Sequence, residues 1–524
     1  MFPAKIHRRI YIILLTLLGG CMVTSTWATN LMWVLLGANW VFEGWARPDG
    51  SNWHSTWREK WQMARDSRLL HLYMGFYLML LIGMFWTENL SFGWSVLQVK
   101  LPLLVVPLVV LTSQPLQGRV RHWVLWAYAT TVLVVSIIGL VRILTIPGLP
   151  YRDAVPYISH IRFALNCCMV VYLCAGVAMR RRRIVLKIVP LTVMLWMLAF
   201  LVLLHSYTAI AILAMVSLAI LLVYRRRWPL IALWVVAVGS LAFFVGRDMK
   251  SYYRMCPLST EPLRSHTVAG NAYQHANDGI IENGNYINNY ICPDELRQQW
   301  TRRSTMPYDS NTATGYGVAP TLVRYMNCLG LTKDSAGMAA MTDEQIAAVE
   351  RGVANPVYES GNPLKKMVYV MLLEREFYVH THTVKGFTML QRLELWGATM
   401  EVIKDHLLIG AGTGDVVDAM QEYLAASGSE LSGRGMRSHN QYLGILATLG
   451  ILGVALLLSL AVRACTQRGR KITPIMLAWI LTILISMLTE DTVDTLAGIM
   501  FCTWFLAFRK PTTERPNVRI SHTA

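Results

Sequence analysis

The residues best suited to chemistry lie where polar sequence runs into apolar sequence. Arg437-Ser-His-Asn-Gln-Tyr-Leu443 leads into an apolar run over 438–462. An imidazole with an ordinary pKa of about 6.5 takes up a proton near neutral pH, so His439 is a candidate general base at the mouth of that run. Position alone leaves a second reading equally open, a polar residue among neighbours that cap a helix start. Other constellations carry less. Ile409-Gly-Ala-Gly-Thr-Gly-Asp415 has GxGxG spacing without the GxGxxG fingerprint or βαβ setting of a dinucleotide site. It reads as a glycine turn ending a helix, with a role for its backbone N–H groups beside an anionic ligand kept open. His380 and His382 have no nearby third ligand and read as solvated residues. No GxSxG elbow surrounds Ser438 and no HExxH is present, so no metal and no cofactor is assigned.

The elements that must position these residues are membrane helices. Of the 524 residues 54% are hydrophobic and only 15% charged, and the mean hydropathy is +0.40, which is not the balance of a soluble protein. Apolar runs long enough to cross about 30 Å of hydrocarbon recur near 10–27, 29–45, 70–86, 98–113, 122–144, 157–179, 184–204, 205–224, 228–246, 438–462, 472–489 and 493–508. The expectation is an all-α polytopic membrane protein of about 12 transmembrane helices. With the N-terminus held inside by Lys5, Arg8 and Arg9, the inside segments are 46–69, 114–121, 180–183, 225–227, 463–471 and the tail from 509, and each is basic. Lys100, Arg142, Arg152 and Arg162 fall at the opposite face. The net charge of +17 is therefore topogenic, and nucleic acid is excluded as a partner. An N-terminal signal peptide with a site at Thr26-Trp-Ala28 is the weaker reading, because a second span follows at once. Nine cysteines without CxxC spacing give neither a zinc site nor a disulfide scaffold, although Cys256, Cys292 and Cys328 share one polar region with room for a single bridge.

Between the ninth and tenth spans lies a polar segment far longer than a connector needs, placed outside the cytoplasm by parity. Through 340 it is rich in Gly, Asn, Tyr and Pro and reads as irregular structure. Thr342-Asp-Glu-Gln345 predicts a capping box and a helix ending near Arg351-Gly352, followed by helices over 364–381 and 388–406, the last opened by Thr388-Met-Leu-Gln391. Leu390, Leu393, Trp396, Met400 and Ile403 form the predicted apolar stripe of that last helix, which would lie on the bundle or along the membrane interface. The predicted regions are 1–246 with the first nine spans, 247–437 as the external segment, 438–508 with the last three spans, and a cytoplasmic tail over 509–524. No long internal repeat supports an inverted-repeat transporter.

His439-Asn440, nine residues, then Gly450-Ile-Leu-Gly453 resembles the HNx9GxxG pattern of the O-antigen ligase and O-antigen polymerase superfamily. Gln391-Arg-Leu-Glu-Leu-Trp396 and the run from Ile403 to Asp415 resemble that superfamily's loop before the histidine. Trp86-Thr-Glu-Asn-Leu90, Lys100-Leu-Pro-Leu-Leu104, Ile158-Ser-His-Ile-Arg162, Thr321-Leu-Val-Arg-Tyr325 and Leu488-Thr-Glu-Asp-Thr492 resemble its Bacteroidetes-type members. One departure is Ser206-Tyr207-Thr208, where family ligases often carry an arginine in an RxxxL pattern; Arg162, followed by Asn166, does not restore it.

The resemblance implies a GT-C-like membrane glycosyltransferase that moves a glycan from undecaprenyl diphosphate to an acceptor hydroxyl at the periplasmic face of the inner membrane. Such a transfer needs a base for the attacking hydroxyl and cations for the departing diphosphate. His439 supplies the first. Arg392 is the leading candidate for the diphosphate clamp, against an exposed charge on an amphipathic helix. Arg162, just inside a span, is the second, against snorkelling to the interface. Lys100 reads as a membrane anchor that could steer the diphosphate, and Asn440 joins the substrate-binding set through the family motif. Fixed cations can replace a metal, and single displacement would invert the anomeric centre. The implied partners are the lipid-linked donor, a lipid A–core acceptor and membrane lipids. An O-antigen polymerase, joining lipid-linked repeats, is the nearest alternative. A transporter of lipid-linked sugars is the competitor from another class.

Overall fold

The computed structural model describes residues 2–46, 57–116, 118–146, 149–224, 228–276, 278–312, 314–382, 384, 387–466 and 472–509. Among them the chain is predominantly helical, and its one ladder is the short ribbon Ile281–Glu282 with Asn285–Tyr286. Among the described residues nine helices are long and apolar enough to cross a membrane: Ala4–Thr24, Arg68–Trp86, Leu90–Thr112, Gly118–Thr145, His160–Arg180, Val185–Leu203, Tyr207–Tyr224, Trp228–Tyr252 and Gln441–Cys465. Thr26–Glu43, Pro474–Ser486 and Leu496–Phe508 occupy the other three apolar runs but are shorter or less apolar. This is an all-α polytopic membrane protein. The tail beyond 509, residues 225–227 and most of the 463–471 segment lie outside the described residues.

By density of contacts the chain forms two compact bodies, Met1–Arg227 with Arg392–Ala524, and Trp228–Gln391. The expected boundaries at 246 and 437 divide the chain by polarity instead, and they stand as a topological proposal. In the first body the N- and C-terminal spans are locked together. Gly19 lies so close to Trp504 that an added Cβ would meet the indole at 2.5 Å, and the Trp504 Nε1–H donates to the Leu15 carbonyl at 2.8 Å. Tyr128 and Phe505 complete this buried aromatic cluster.

The second body corrects the expectation of irregular structure before 340. It contains the helices Pro293–Arg303, Val318–Cys328 and Ser335–Ala340 around a core of Leu296, Trp300, Leu322, Met326, Met338 and Val349. Pro293 at the first helical position, Asp294 and Glu295 in the first turn and Arg302 and Arg303 in the last are ordinary helix signals, but each helix is too short for its periodicity to stand out. Glu282, fully buried, is held by both arms of Arg324 at 2.9 and 2.8 Å and by Asn355 at 2.9 Å. The predicted capping box at Thr342 and Gln345 is present, while Cys256, Cys292 and Cys328 are all free thiols.

The span Gln441–Cys465 is broken at Gly450, whose φ of 64° and ψ of −164° leave the helical region. The break admits a loop. Ile451 donates its N–H to the Leu407 carbonyl at 3.0 Å, and the Ala411 N–H reaches the Ala447 carbonyl at 2.8 Å. A Cβ on Gly450 would lie 2.2 Å from the Leu408 carbonyl oxygen, and one on Gly410 equally close to that of Thr448. Gly450→Ala is therefore expected to cost about 2–5 kcal/mol, combining strained backbone with overpacking, and to lower the melting temperature of the detergent-solubilised protein. Gly239→Ala, where an added methyl meets nothing within 4 Å, should not lower it.

Candidate active site

The glycine-rich loop after the helix Thr388–Asp405 is a structural clasp. Gly410 and Gly412 have φ of 78° and 113°, conformations open to glycine, and the turn presents Thr413, Gly414 and Asp415 to the corner at Trp86–Leu90. The N–H groups of Thr413 and Gly414 donate to Thr87 Oγ1 at 2.9 and 3.4 Å, and Thr413 Oγ1 donates to the Leu80 carbonyl at 2.7 Å. The Asp415 carboxylate accepts the N–H groups of Glu88 and Asn89 at 2.9 and 2.8 Å. With those N–H groups turned inward, the loop's work is to join three spans, and the anion-cradle reading gains nothing from it.

The helix Thr388–Asp405 corrects the predicted stripe. Its buried positions are Leu395, Ala398, Thr399 and Val402, together with Leu390 and Ile403, whereas Leu393 and Met400 stand exposed. Residues 393 and 400 lie two turns apart on one line, and 395, 398, 399 and 402 form the opposite face. The helix thus packs through one apolar edge and leaves a second open. The side chain of Thr388 lies outside the described residues, and Gln391 Nε2 donates to the Val384 carbonyl at 3.1 Å.

Leaving the clasp, the chain returns through Arg437–Asn440. Asn440 Oδ1 accepts the N–H groups of Tyr442 and Leu443 at 3.0 and 3.2 Å and caps the span. That cap frees His439 from capping work. His439 adopts a left-handed φ of 51°, uncommon for a residue with a Cβ, and its ring is about one-third exposed. Its Nδ1 lies 3.5 Å from Asp491 Oδ2, an electrostatic pairing longer than a hydrogen bond. Burial, then the positive charges of Arg392, Arg162 and Arg437, hold the imidazole below its ordinary pKa.

Three arginines act on this group, and Lys100 joins them through the neighbouring acidic turn. Arg392 donates to Glu490 Oε1 at 2.6 Å, and the pair is mostly buried. Arg162, in the first turn of its span, donates to the Asp491 carbonyl at 3.2 Å, while its Nε is buried without an acceptor. Lys100 Nζ sits 2.5 Å from Asp494 Oδ1. Arg437 donates to the Asp494 carbonyl at 3.3 Å and lies over the Phe92 ring. The structure thus brings His439, Arg392, Arg162 and Lys100 to one end of the bundle, with Asn440 as the helix cap beside them. Tyr207, at the position of the missing family arginine, stacks on His205 instead.

Residue-by-residue reading of the sequence missed the acidic half. Glu490, Asp491 and Asp494 lie in the turn between the helices Pro474–Ser486 and Leu496–Phe508, and each meets one or more of the four cations. Burial and then the neighbouring Asp494 carboxylate push the Asp491 carboxyl up. Burial pushes Asp494 the same way, but Lys100 and then Arg437 overcome it and leave that carboxyl below its ordinary value. Gln441, fully buried, ties the turn down: its Nε2 donates to Asp494 Oδ2 at 3.3 Å and its Oε1 accepts the Val493 N–H at 2.7 Å. Three carboxylates within five residues at a membrane turn were the available signal.

A narrow cleft opens beside the cluster. Its polar end is formed by Lys100, Arg437, Asp491 and Asp494 and its walls by Phe76, Leu80, Val99, Val416, Met420 and Ile445. Such a shape suits a ligand with a charged head and an apolar tail.

The family model described as O-antigen ligase matches residues 353–458, a stretch that holds Arg392, the clasp, His439 and Gly450. Comparison with curated proteins gave no match.

Proposed function

We propose, from the chain's membership of the O-antigen ligase and polymerase superfamily through residues 353–458, that it is an O-antigen ligase. In this reading it transfers a glycan from undecaprenyl diphosphate to a sugar hydroxyl of lipid A–core, at the periplasmic face of the bacterial inner membrane. Members of this family are membrane glycosyltransferase-like enzymes with lipid-linked glycan partners. The observation that carries the proposal is the grouping of the His439 imidazole with Arg392, Arg162 and Arg437, beside an apolar cleft whose polar end holds Lys100 and Arg437.

The chemistry follows from that grouping. The acceptor oxygen attacks the anomeric carbon as its proton passes to His439; the C–O bond to the diphosphate breaks, and the electron pair leaves with the lipid diphosphate. With Nδ1 turned to Asp491, Nε2 is the atom placed to take the proton, and the imidazolium that forms finds Asp491 3.5 Å away. Arg392 and Arg162 answer the charge growing on the diphosphate. Asp491 orients and Glu490 holds Arg392 until substrate competes for it. A single displacement of this kind inverts the anomeric centre, and fixed cations do the work a metal would otherwise do. The arrangement of spans around the cleft is, in this proposal, GT-C-like.

The pH dependence has a fixed sign. Because the His439 pKa is depressed, the imidazole stays neutral as pH falls through about 6.5, so the acid limb of kcat/KM should lie below that pH. In Arg392→Gln one of the charges that depress it is gone, and the acid limb of the residual activity should move upward. Rates of the purified enzyme measured across this range check both statements; an acid limb that moves downward in the variant would contradict the assignment.

The reaction type is tested on cells deleted for the gene. Bare lipid A–core with accumulated long lipid-linked polymer supports the ligase. Core capped with a single repeat would make this a polymerase, and an unchanged glycan profile would remove lipid A–core as acceptor.

A further inference from the structure

The helix His160–Arg180 carries Arg162 into the site at one end. At 1.5 Å per residue Arg180 stands about 27 Å away, at the opposite membrane face. There a separate cavity of about 220 Å³ lies between the start of Gly118–Thr145, the end of His160–Arg180 and the first turn of Pro474–Ser486. Arg121, Arg180 and Arg181 line it, and no carboxylate does. The Nε of Arg121 is buried without an acceptor, and among the described residues neither Arg121 nor Arg180 has an acidic partner. Other cations drawn into the first body have found a carboxylate: Lys60 sits on Glu43, Lys100 on Asp494 and Arg392 on Glu490. Below the arginines the walls are apolar, formed by Leu173 and Ile475, with Trp126 beside them.

An uncompensated pair of guanidinium groups over an apolar wall, at the depth of the membrane surface, calls for an anion that brings its own hydrocarbon. We propose that this cavity binds the phosphodiester headgroup of an anionic phospholipid, Arg121 and Arg180 meeting the phosphate and the acyl chains running along Leu173 and Ile475. The shared chemistry is a phosphate ester. A free phosphate would use the arginines alone, and the apolar wall is what favours the lipid.

The test titrates fluorescent phosphatidylglycerol into the full-length protein in detergent, with unlabelled phosphatidylglycerol, phosphatidylcholine or inorganic phosphate as competitor. Unlabelled phosphatidylglycerol should displace the probe, and the other two should not at equal concentration. Arg121→Gln/Arg180→Gln should weaken binding about thirtyfold, and Arg68→Gln, on another segment, should leave it unchanged. If the double variant does not fold, Arg180→Gln alone replaces an exposed residue and should weaken binding about fivefold. Equal competition by phosphatidylcholine, or wild-type binding by the variants, would overturn the proposal. Equal competition by inorganic phosphate would make this a small-anion site and overturn the lipid.

Discussion

Replacing His439 with asparagine is expected to lower glycan transfer by about 10²–10⁴-fold, the usual contribution of a positioned general base, while the protein still folds and inserts. Asparagine is the better probe than alanine for a physical reason. The left-handed φ of 51° at this position is tolerated by asparagine, whereas alanine adds roughly 1 kcal/mol of backbone strain to the loss of the ring. The cap on the following span comes from Asn440, so helix stability does not depend on the imidazole. Melting temperature and membrane yield should therefore match wild type. A variant that keeps more than a tenth of wild-type turnover would remove His439 from the chemistry. A transporter, needing no base, would be expected to tolerate the change.

The second large effect is at Arg392. Arg392→Gln is expected to lower turnover about 10²–10³-fold, the scale of losing one fixed donor to a developing negative charge. It also leaves Glu490 buried without its cation. Burial already pushes that carboxyl up against the pull of Arg392 and Arg162, so in the variant it should take up a proton more readily still. The double variant Arg392→Gln/Glu490→Gln separates the two roles: it should recover any lost stability and none of the turnover. Arg392→Lys keeps a charge but not the planar fork, and should fall between glutamine and wild type. Recovery of turnover in the double variant would show that Arg392 serves only to neutralise Glu490. Thermal melts and initial rates on the same preparations make the comparison.

Much of the fold was legible because apolar runs of membrane length and basic loops are coarse signals. The charged corner was harder to read. His439 and Arg392 drew attention as single residues of suitable chemistry, and Gly450 through its spacing from His439. Glu490 and Asp491 entered only within a resembling stretch and Asp494 not at all, because their meaning depends on which cations they meet. Lys100 and Asp494 are almost 400 residues apart in the chain, and their 2.5 Å contact leaves no local pattern. The glycine loop is the converse case. Its spacing suggested a ligand cradle beside a plain turn, and what decides is the partner at Thr87, more than 300 residues away. The short helices before 340 were missed because 11 residues give too few turns for periodicity to rise above a Gly- and Asn-rich background.

The central claim is that the cleft beside His439 passes a glycan from a lipid diphosphate to a sugar hydroxyl. The most direct measurement incubates the purified full-length protein with an undecaprenyl-diphosphate-linked glycan and lipid A–core, and follows both products by mass spectrometry. The account predicts core extended by the glycan together with free undecaprenyl diphosphate in equal amount, both lost in His439→Asn. Donor joined to donor with the core untouched, or extended core formed equally well by the variant, would contradict it.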